Sequence, residues 1–217
     1  MQTAIVEKWA VENGAALTAT QLNRLATHQE MVLEKNKVMN LTTITDPHDF
    51  AVKHIIDSMT LLPYIPSAQG ASLADIGAGA GFPGMVLATL REDLQVTLVD
   101  SLRKRVLFLQ EVVEALGLKN VSCVHARAED LARAGAMFDI CTARAVARMD
   151  KLVKWALPIT KPGGLFLAMK GAHVQAELEE AKPALAKFGG AVKTVDLIEI
   201  APGLVHSVVV VEKLERS

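Results

Sequence analysis

The stretch LADIGAGAGFPG, residues 73–84, decides the fold. An apolar run ends in four glycines that can be read in two registers. Gly77, Gly79 and Gly81 spell G-x-G-x-G, whereas Gly79, Gly81 and Gly84 spell G-x-G-x-x-G. Either register describes a strand turning tightly into a helix, with backbone free of Cβ atoms where a nucleotide would approach. Asp75 stands just before the first glycine and can address an ammonium group. Asp100 lies 21 residues beyond Gly79, at the end of the next apolar run. That is the place of a carboxylate that accepts hydrogen bonds from ribose hydroxyls.

Downstream of this turn, short apolar strands alternate with amphipathic helices. LQVTLVD is followed by a helix from about 102 to 116, VSCVHA by a short helix, FDICTA by a helix over 149–156, and GLFLAMKG by a helix near 173–187. Such alternation predicts an α/β fold, a doubly wound and mostly parallel sheet with helices on both faces. KPGG at 161–164 reads as the turn leading into a late strand. Two further apolar segments, AVKTVDLIEI and LVHSVVVVEK, are separated only by APG, which predicts a hairpin and hence one antiparallel strand. Glu129, just after VSCVHA, falls where an adenine could be contacted.

Upstream, three helical segments are expected at roughly 4–13, 20–39 and 47–63. Thr18 or Thr20 is an N-cap for the second, and Asp46 followed by Pro47 opens the third. Asn40 reads as a C-terminal cap. PYIPSAQGAS forms a linker, so residues 1–70 are expected as an N-terminal helical extension packed on a core domain at 71–217.

With 217 residues and 51% hydrophobic content, the chain suits one sizeable globular unit. No apolar stretch reaches a membrane span, and MQTAIVEKWAVENG lacks the layout of a signal peptide, so a cytoplasmic protein is expected. Cys123 and Cys141 sit inside apolar runs without neighbouring ligands. Buried packing is expected for both, with no metal site and no disulfide. Lys and Arg total 23 against 24 Asp and Glu, a balance that argues against gripping nucleic acid by bulk charge. Local clusters remain: Arg103, Lys104 and Arg105, then Arg144, Arg148, Lys151 and Lys154.

DIGAGAG, Asp100, ARAED and KPGG occur in the order of the class I S-adenosylmethionine-dependent methyltransferases, which this sequence resembles. The likeness is closer still to the ribosomal RNA small subunit methyltransferase G family, also called glucose-inhibited division protein B. It rests on NLTTITDPHDFAVKHIIDS (40–58), DIGAGAGFPGMVLA (75–88), DSLRKRVLFL (100–109), ARAED (126–130), TARAVA (142–147) and MKG (169–171), and it covers nearly the whole chain. The resemblance implies a Rossmann-like, seven-stranded sheet and S-adenosyl-L-methionine as cofactor. It also implies N7 methylation of one guanine of 16S rRNA within the small ribosomal subunit. Cofactor contacts carried over by motif fall on Gly77, Phe82, Ala128, Glu129 and Arg144, beside Asp75, Gly79 and Asp100. The family's glycine loop is more often GTGPGLPG, and a basic pair often enters its last strand where this chain has Val205-His206.

The chemistry so implied needs no catalytic dyad. Guanine N7 presents an in-plane lone pair and no proton, so attack on a sulfonium methyl requires alignment and not a general base. The Asn/Asp-Pro-Pro-aromatic motif of exocyclic-amine methylases is absent after the fourth strand. Cys141, inside FDICTA, is a poor nucleophile. Arg144, Lys170 and His54 are the candidates for residues at the reacting centre. Arg144 is expected to serve transfer more than folding, the alternative being a buried ion pair. His54, Asp57 and Ser58 share a helix face that points either to the cofactor mouth or into a packing network. Lys170, at the end of the fifth strand, could reach substrate phosphate or guanine O6. No oligomer is expected. Two other classes fit parts of the sequence: an NAD-binding oxidoreductase on the second glycine register, and an RNA-binding assembly factor on a methyltransferase fold.

Overall fold

A seven-stranded sheet in the order β3-β2-β1-β4-β5-β7-β6 forms the centre of the computed structural model, which describes residues 2–215. The strands are β1 (Ser72–Ile76), β2 (Gln95–Asp100), β3 (Val121–His125), β4 (Phe138–Arg144), β5 (Thr160–Gly171), β6 (Gly190–Ala201) and β7 (Leu204–Lys213). β7 runs antiparallel between β5 and β6, and all pairings from β3 to β5 are parallel. The α/β class, the doubly wound sheet and the hairpin are therefore as the sequence predicts. Strand order turns back between β1 and β4, so their C-terminal ends diverge into a crevice.

Strand alternation divides the core into two layers. Leu73, Leu98, Ile140, Leu167 and Val210 face one side. Covering them are α1 (Thr3–Glu12), α2 (Ala19–Met39), a third helical segment, α5 (Gly84–Leu90) and α6 (Arg103–Leu116). Ala74, Ile76, Cys141, Phe166 and Val209 face the other side, against α7 (Ala128–Arg133), α8 (Met149–Ala156) and α9 (Gln175–Phe188). The helices before residue 70 thus share one core with the sheet.

Local chemistry sets the helix ends. Thr18 and Gln21 form a reciprocal capping box on α2, and Asn40 closes it in the left-handed conformation, φ 49°. Asp46 caps the third segment through the N–H groups of His48 and Asp49. That segment departs from the single helix expected over 47–63. It runs as α3 (Pro47–Phe50), a π-helical stretch (Ala51–Ile56) and α4 (Asp57–Met59), then re-forms as a 3-10 turn at Leu62–Tyr64. Pro63 has no N–H to continue the ladder, and Thr60 turns its hydroxyl back onto the Asp57 carbonyl at 2.6 Å.

KPGG corrects a second expectation. These residues are not a turn but the first part of β5, with a register irregularity opposite Phe138–Ile140. Gly163 takes φ 76°, and a Cβ on Gly164 would lie 2.6 Å from the Asp139 carbonyl, so glycine permits the bulge.

Candidate cofactor site

The glycine turn sits where β1 gives way to α5. Gly77, Gly79 and Gly81 all have positive φ (73°, 58° and 98°), which is a reason for the G-x-G-x-G register. Gly84 is needed for a different reason. A Cβ there would lie 2.4 Å from Leu98 Cδ2 and 2.8 Å from Asp75 Cβ, so the last glycine lets α5 lie down on the sheet. Gly79 N–H donates to Asp100 Oδ2 at 3.0 Å, and Leu102 N–H to Asp100 Oδ1 at 2.8 Å. The β2 carboxylate is thereby locked to the turn, with Arg105 Nη1 standing 3.6 Å from Oδ2.

These groups border a cleft of about 680 Å3, a size suited to a cofactor. Gly77, Gly79, Phe82, Asp100, Arg105 and Arg144 line it, together with His54 and the segment 40–44. A side slot of about 260 Å3 continues from it, bounded by Ile76, Val99, Ala128, Glu129 and Trp155. Gly77, Ser101 and Val146 line both cavities.

Of the residues singled out from sequence, Gly77, Gly79, Phe82, Asp100, Ala128, Glu129, Arg144 and His54 come together on this connected space. Asp75 does not. It is fully buried under the turn, where Oδ2 accepts from Gly84 N–H at 2.8 Å and Oδ1 has no partner. Burial pushes its carboxyl up to about 7, so direct contact with a ligand ammonium is replaced by support of the turn from below.

Lys170 is also placed differently from expectation. Its Nζ pairs with Glu177 at 2.7 Å and donates to the Ala147 carbonyl at 2.9 Å, while Glu177 accepts from Met149 N–H at 2.9 Å. The pair clasps the loop after β4 and lines neither of these two cavities. Ser58 likewise turns inward, donating to the His54 carbonyl.

Arg144 lines the cleft and also belongs to a largely buried ion pair, the alternative raised for it. Nη1 donates to Asp57 Oδ2 and to the Lys53 carbonyl, both at 2.8 Å, and Nη2 to His54 Nδ1 at 3.0 Å. His54 must accept there, which leaves its Nε2–H to donate to Thr42 Oγ1 at 2.8 Å. Burial first, then the Arg144 charge, push the imidazole down to about 3, so it is neutral. His206 Nδ1 contacts the other Asp57 oxygen. Burial alone would raise the Asp57 carboxyl, but the His206 and Arg144 donors outweigh it and hold it below the usual range.

Sequence reasoning missed His28, on α2. It stacks on Phe82 with ring centres 4.7 Å apart and its Nε2–H donates to the Ala80 carbonyl at 2.8 Å. Only an unusual polar residue on the apolar stripe of α2 could have pointed to it. Cys141 is fully buried, its thiol pushed up to about 12, and Cys123 is half-buried rather than buried. Among the described residues, Asp46, His48 and Asp49 bring ligand-type atoms within 4.8 Å, yet Asp46 is engaged as the helix cap and Asp49 pairs with Lys53.

A nucleoside-bearing sulfonium cofactor fits this geometry. The space beside Gly79 is open, since a Cβ there would meet only the Gly77 carbonyl at 3.8 Å, and the Asp100 carboxylate borders the same cleft. The family model of rRNA small subunit methyltransferase G matches residues 21–201. The ribosomal RNA small subunit methyltransferase G of Lactobacillus delbrueckii subsp. bulgaricus is 45% identical over 208 residues, covering 93% of this chain and 87% of that protein. Its counterpart in Staphylococcus carnosus is 41% identical over 219 residues, covering 98% and 90%. Among solved structures, TrmN from Thermus thermophilus shares the fold with a TM-score of 0.57 at 24% identity, over 72% of this chain and 48% of that one.

Proposed function

Because the chain belongs to the rRNA small subunit methyltransferase G family, we propose that its cleft binds S-adenosyl-L-methionine and directs methylation of N7 of one guanine of 16S rRNA in the small ribosomal subunit. The observation that carries this reading is convergence: the glycine turn, the Asp100 carboxylate and the Arg144 guanidinium border one cleft at the C-terminal ends of β1, β2 and β4. The cofactor, when bound, supplies an electrophilic methyl group on sulfur.

The protein's own residues bind and align. Gly77 and Gly79 let backbone approach the ligand, Asp100 accepts from ribose hydroxyls, and the slot at Ala128 and Glu129 takes the adenine. Phe82, held by its stacked histidines, forms an apolar wall that excludes water. Arg144 offers donors to an oxyanion at the methionyl end or to guanine O6, leaving N7 as the nucleophile. No proton leaves N7 during attack, so the neutral His54 is not required as a base. Its part is to hold Arg144.

The acceptor is proposed to approach from the side of the C-terminal strand ends, toward exposed Arg103 and Lys104 in the first turn of α6 and Lys151 in the first turn of α8. Arg148 is less available, being paired with Glu180. So small a patch on a near-neutral protein suits a folded particle that offers shape as well as phosphate, and the assembled or nearly assembled subunit is the preferred substrate. A ribosomal substrate of this kind supports a cytoplasmic site of action. Among the described residues, no helix is long and apolar enough to cross a membrane.

The test is nucleoside mass spectrometry of 16S rRNA from cells with and without the gene, combined with methyl transfer by the purified protein to unmodified small subunits. Loss of a single 7-methylguanosine and its restoration in vitro are expected. An unchanged nucleoside profile, or equal turnover of protein-free 16S rRNA and subunits, contradicts the reading at its respective step.

A further inference from the structure

We propose that Asp57 and His206 form a positioning pair that aims Arg144 into the cleft, an inference that rests on the cofactor-binding reading above. The three residues come from α4, β7 and β4, far apart in sequence. The Asp57 carboxylate divides its oxygens between two partners: Oδ2 accepts from Arg144 Nη1 at 2.8 Å, and Oδ1 lies in close contact with His206 Nδ1. The second nitrogen of His206 faces Thr60 Oγ1 at 3.3 Å. That hydroxyl already donates to the Asp57 carbonyl, so it can only accept from His206. The His206 ring is thus wedged between Asp57 Oδ1 and Thr60 Oγ1, two oxygens fixed by their own elements. Side-chain exposure is 12% for both Asp57 and His206, and neither residue lines the cleft.

Arginine has five N–H groups. Here both hydrogens of Nη1 go to Asp57 and the Lys53 carbonyl, and one of Nη2 goes to His54. The Nε–H and the second Nη2 hydrogen have no hydrogen-bond partner among the described residues. Nε and Nη2 form one edge of the guanidinium fork, and Arg144 borders the cleft. Asp57 thus occupies the back of the fork and leaves an edge that matches a carboxylate or a similar two-oxygen group. By taking the other carboxylate oxygen, His206 fixes the rotation of Asp57 and so the direction of that edge. Without Asp57, the Lys53 carbonyl and His54 would still retain the guanidinium, but it would lose its one charged partner and with it part of the constraint on the angle at which that edge meets the ligand.

Binding of S-adenosylhomocysteine to the full chain, measured by isothermal titration calorimetry well below the melting point of every variant, tests this. Asp57→Asn is expected to raise Kd roughly tenfold, the order for misaligning one charge-assisted hydrogen bond, and His206→Gln by a smaller factor. Arg144→Lys should also weaken binding, and adding Asp57→Asn to it should weaken binding no further. A purely structural role predicts lower melting points with wild-type Kd in the folded variants, and that result overturns the proposal. So do losses that simply add in the double variant. Should Asp57→Asn fail to fold, His206→Gln alone and combined with Arg144→Lys makes the same comparison. Wild-type protein that binds no S-adenosylhomocysteine overturns the cofactor reading itself, and that failure is visible before any variant is made.

Discussion

His54 lies face to face with Phe82, ring centres 4.7 Å apart and planes 12° from parallel. His28 also stacks on this ring, at 4.7 Å and 22° from parallel, so a phenyl ring in the glycine turn packs against two buried imidazoles. Burial keeps both neutral, at about 3 for His54 and about 4 for His28. In the unfolded chain each takes up a proton near pH 6.5. Between that pH and about 4 the unfolded state binds more protons, so stability falls on acidification, by up to about 1.4 kcal/mol per pH unit per proton. Asp75 acts in the opposite sense. Its raised value of about 7 means the folded state keeps a proton the unfolded state has lost, a contribution present at low pH and lost as the pH rises toward 7. Two histidines outweigh one carboxyl. Calorimetric melting points should fall from pH 7 to 5, and Asp75→Asn should steepen the fall; a flat profile, or a variant that flattens it, would contradict this account.

Replacing Gly79 with valine should abolish S-adenosylhomocysteine binding. The position has φ 58°, which a β-branched residue adopts at a cost of about 1–2 kcal/mol, and the new side chain projects into open cleft. The fold should survive. Cooperative melting with no calorimetric binding signal is expected, and retained micromolar binding would show that the ligand lies elsewhere.

Arg144→Ala should now cost stability as well as activity. It removes one partner of a pair whose side chains are only 15% and 12% exposed, and about 3 kcal/mol is the order for that change. Arg144→Lys should recover part of the melting temperature but little methyl transfer to small subunits, since a point charge does not reproduce the fork. An alanine variant that melts like wild type would mean the ion pair contributes nothing.

Lys170 and Glu177 should control the loop after β4. Val146 in this loop packs so closely over Gly77 that a Cβ on the glycine would lie 2.9 Å from both Val146 methyl carbons. Lys170→Met and Glu177→Gln should each speed amide hydrogen exchange across residues 145–149 and weaken cofactor binding, without changing exchange in β1 or β2. Unaltered exchange in the loop would leave the clasp without a function.

The sheet, its antiparallel strand and the glycine turn were legible in sequence because period-2 apolar runs, glycine spacing and short hairpin connections are local signals. Asp100 was legible for the same reason, being fixed by its distance from the turn. The pairing of Asp57 with Arg144 and His206 was not. It joins residues from three distant segments, and no spacing rule links them. The π-helical stretch was missed because helical periodicity does not distinguish a single widened turn. Lys170 was misread because strand position gave the correct edge of the sheet but not the partner, Glu177, that draws its side chain away. Asp75 was assigned to the ligand because its closeness to the first glycine is visible in sequence, whereas its burial beneath Gly84 is not.

The place of β7 between β5 and β6 has a consequence for assembly. β6 precedes β7 in the chain but reaches the sheet only through it, so the edge beside β5 stays open until the last strand inserts. His206 arrives with that strand. During synthesis, where folding proceeds from the N-terminus, the glycine turn, Asp100 and Arg144 can gather first, while the second partner of Asp57 is added last. The completed arrangement around Arg144 therefore registers that the sheet has closed, and an incompletely synthesised chain would present the crevice without its final orientation.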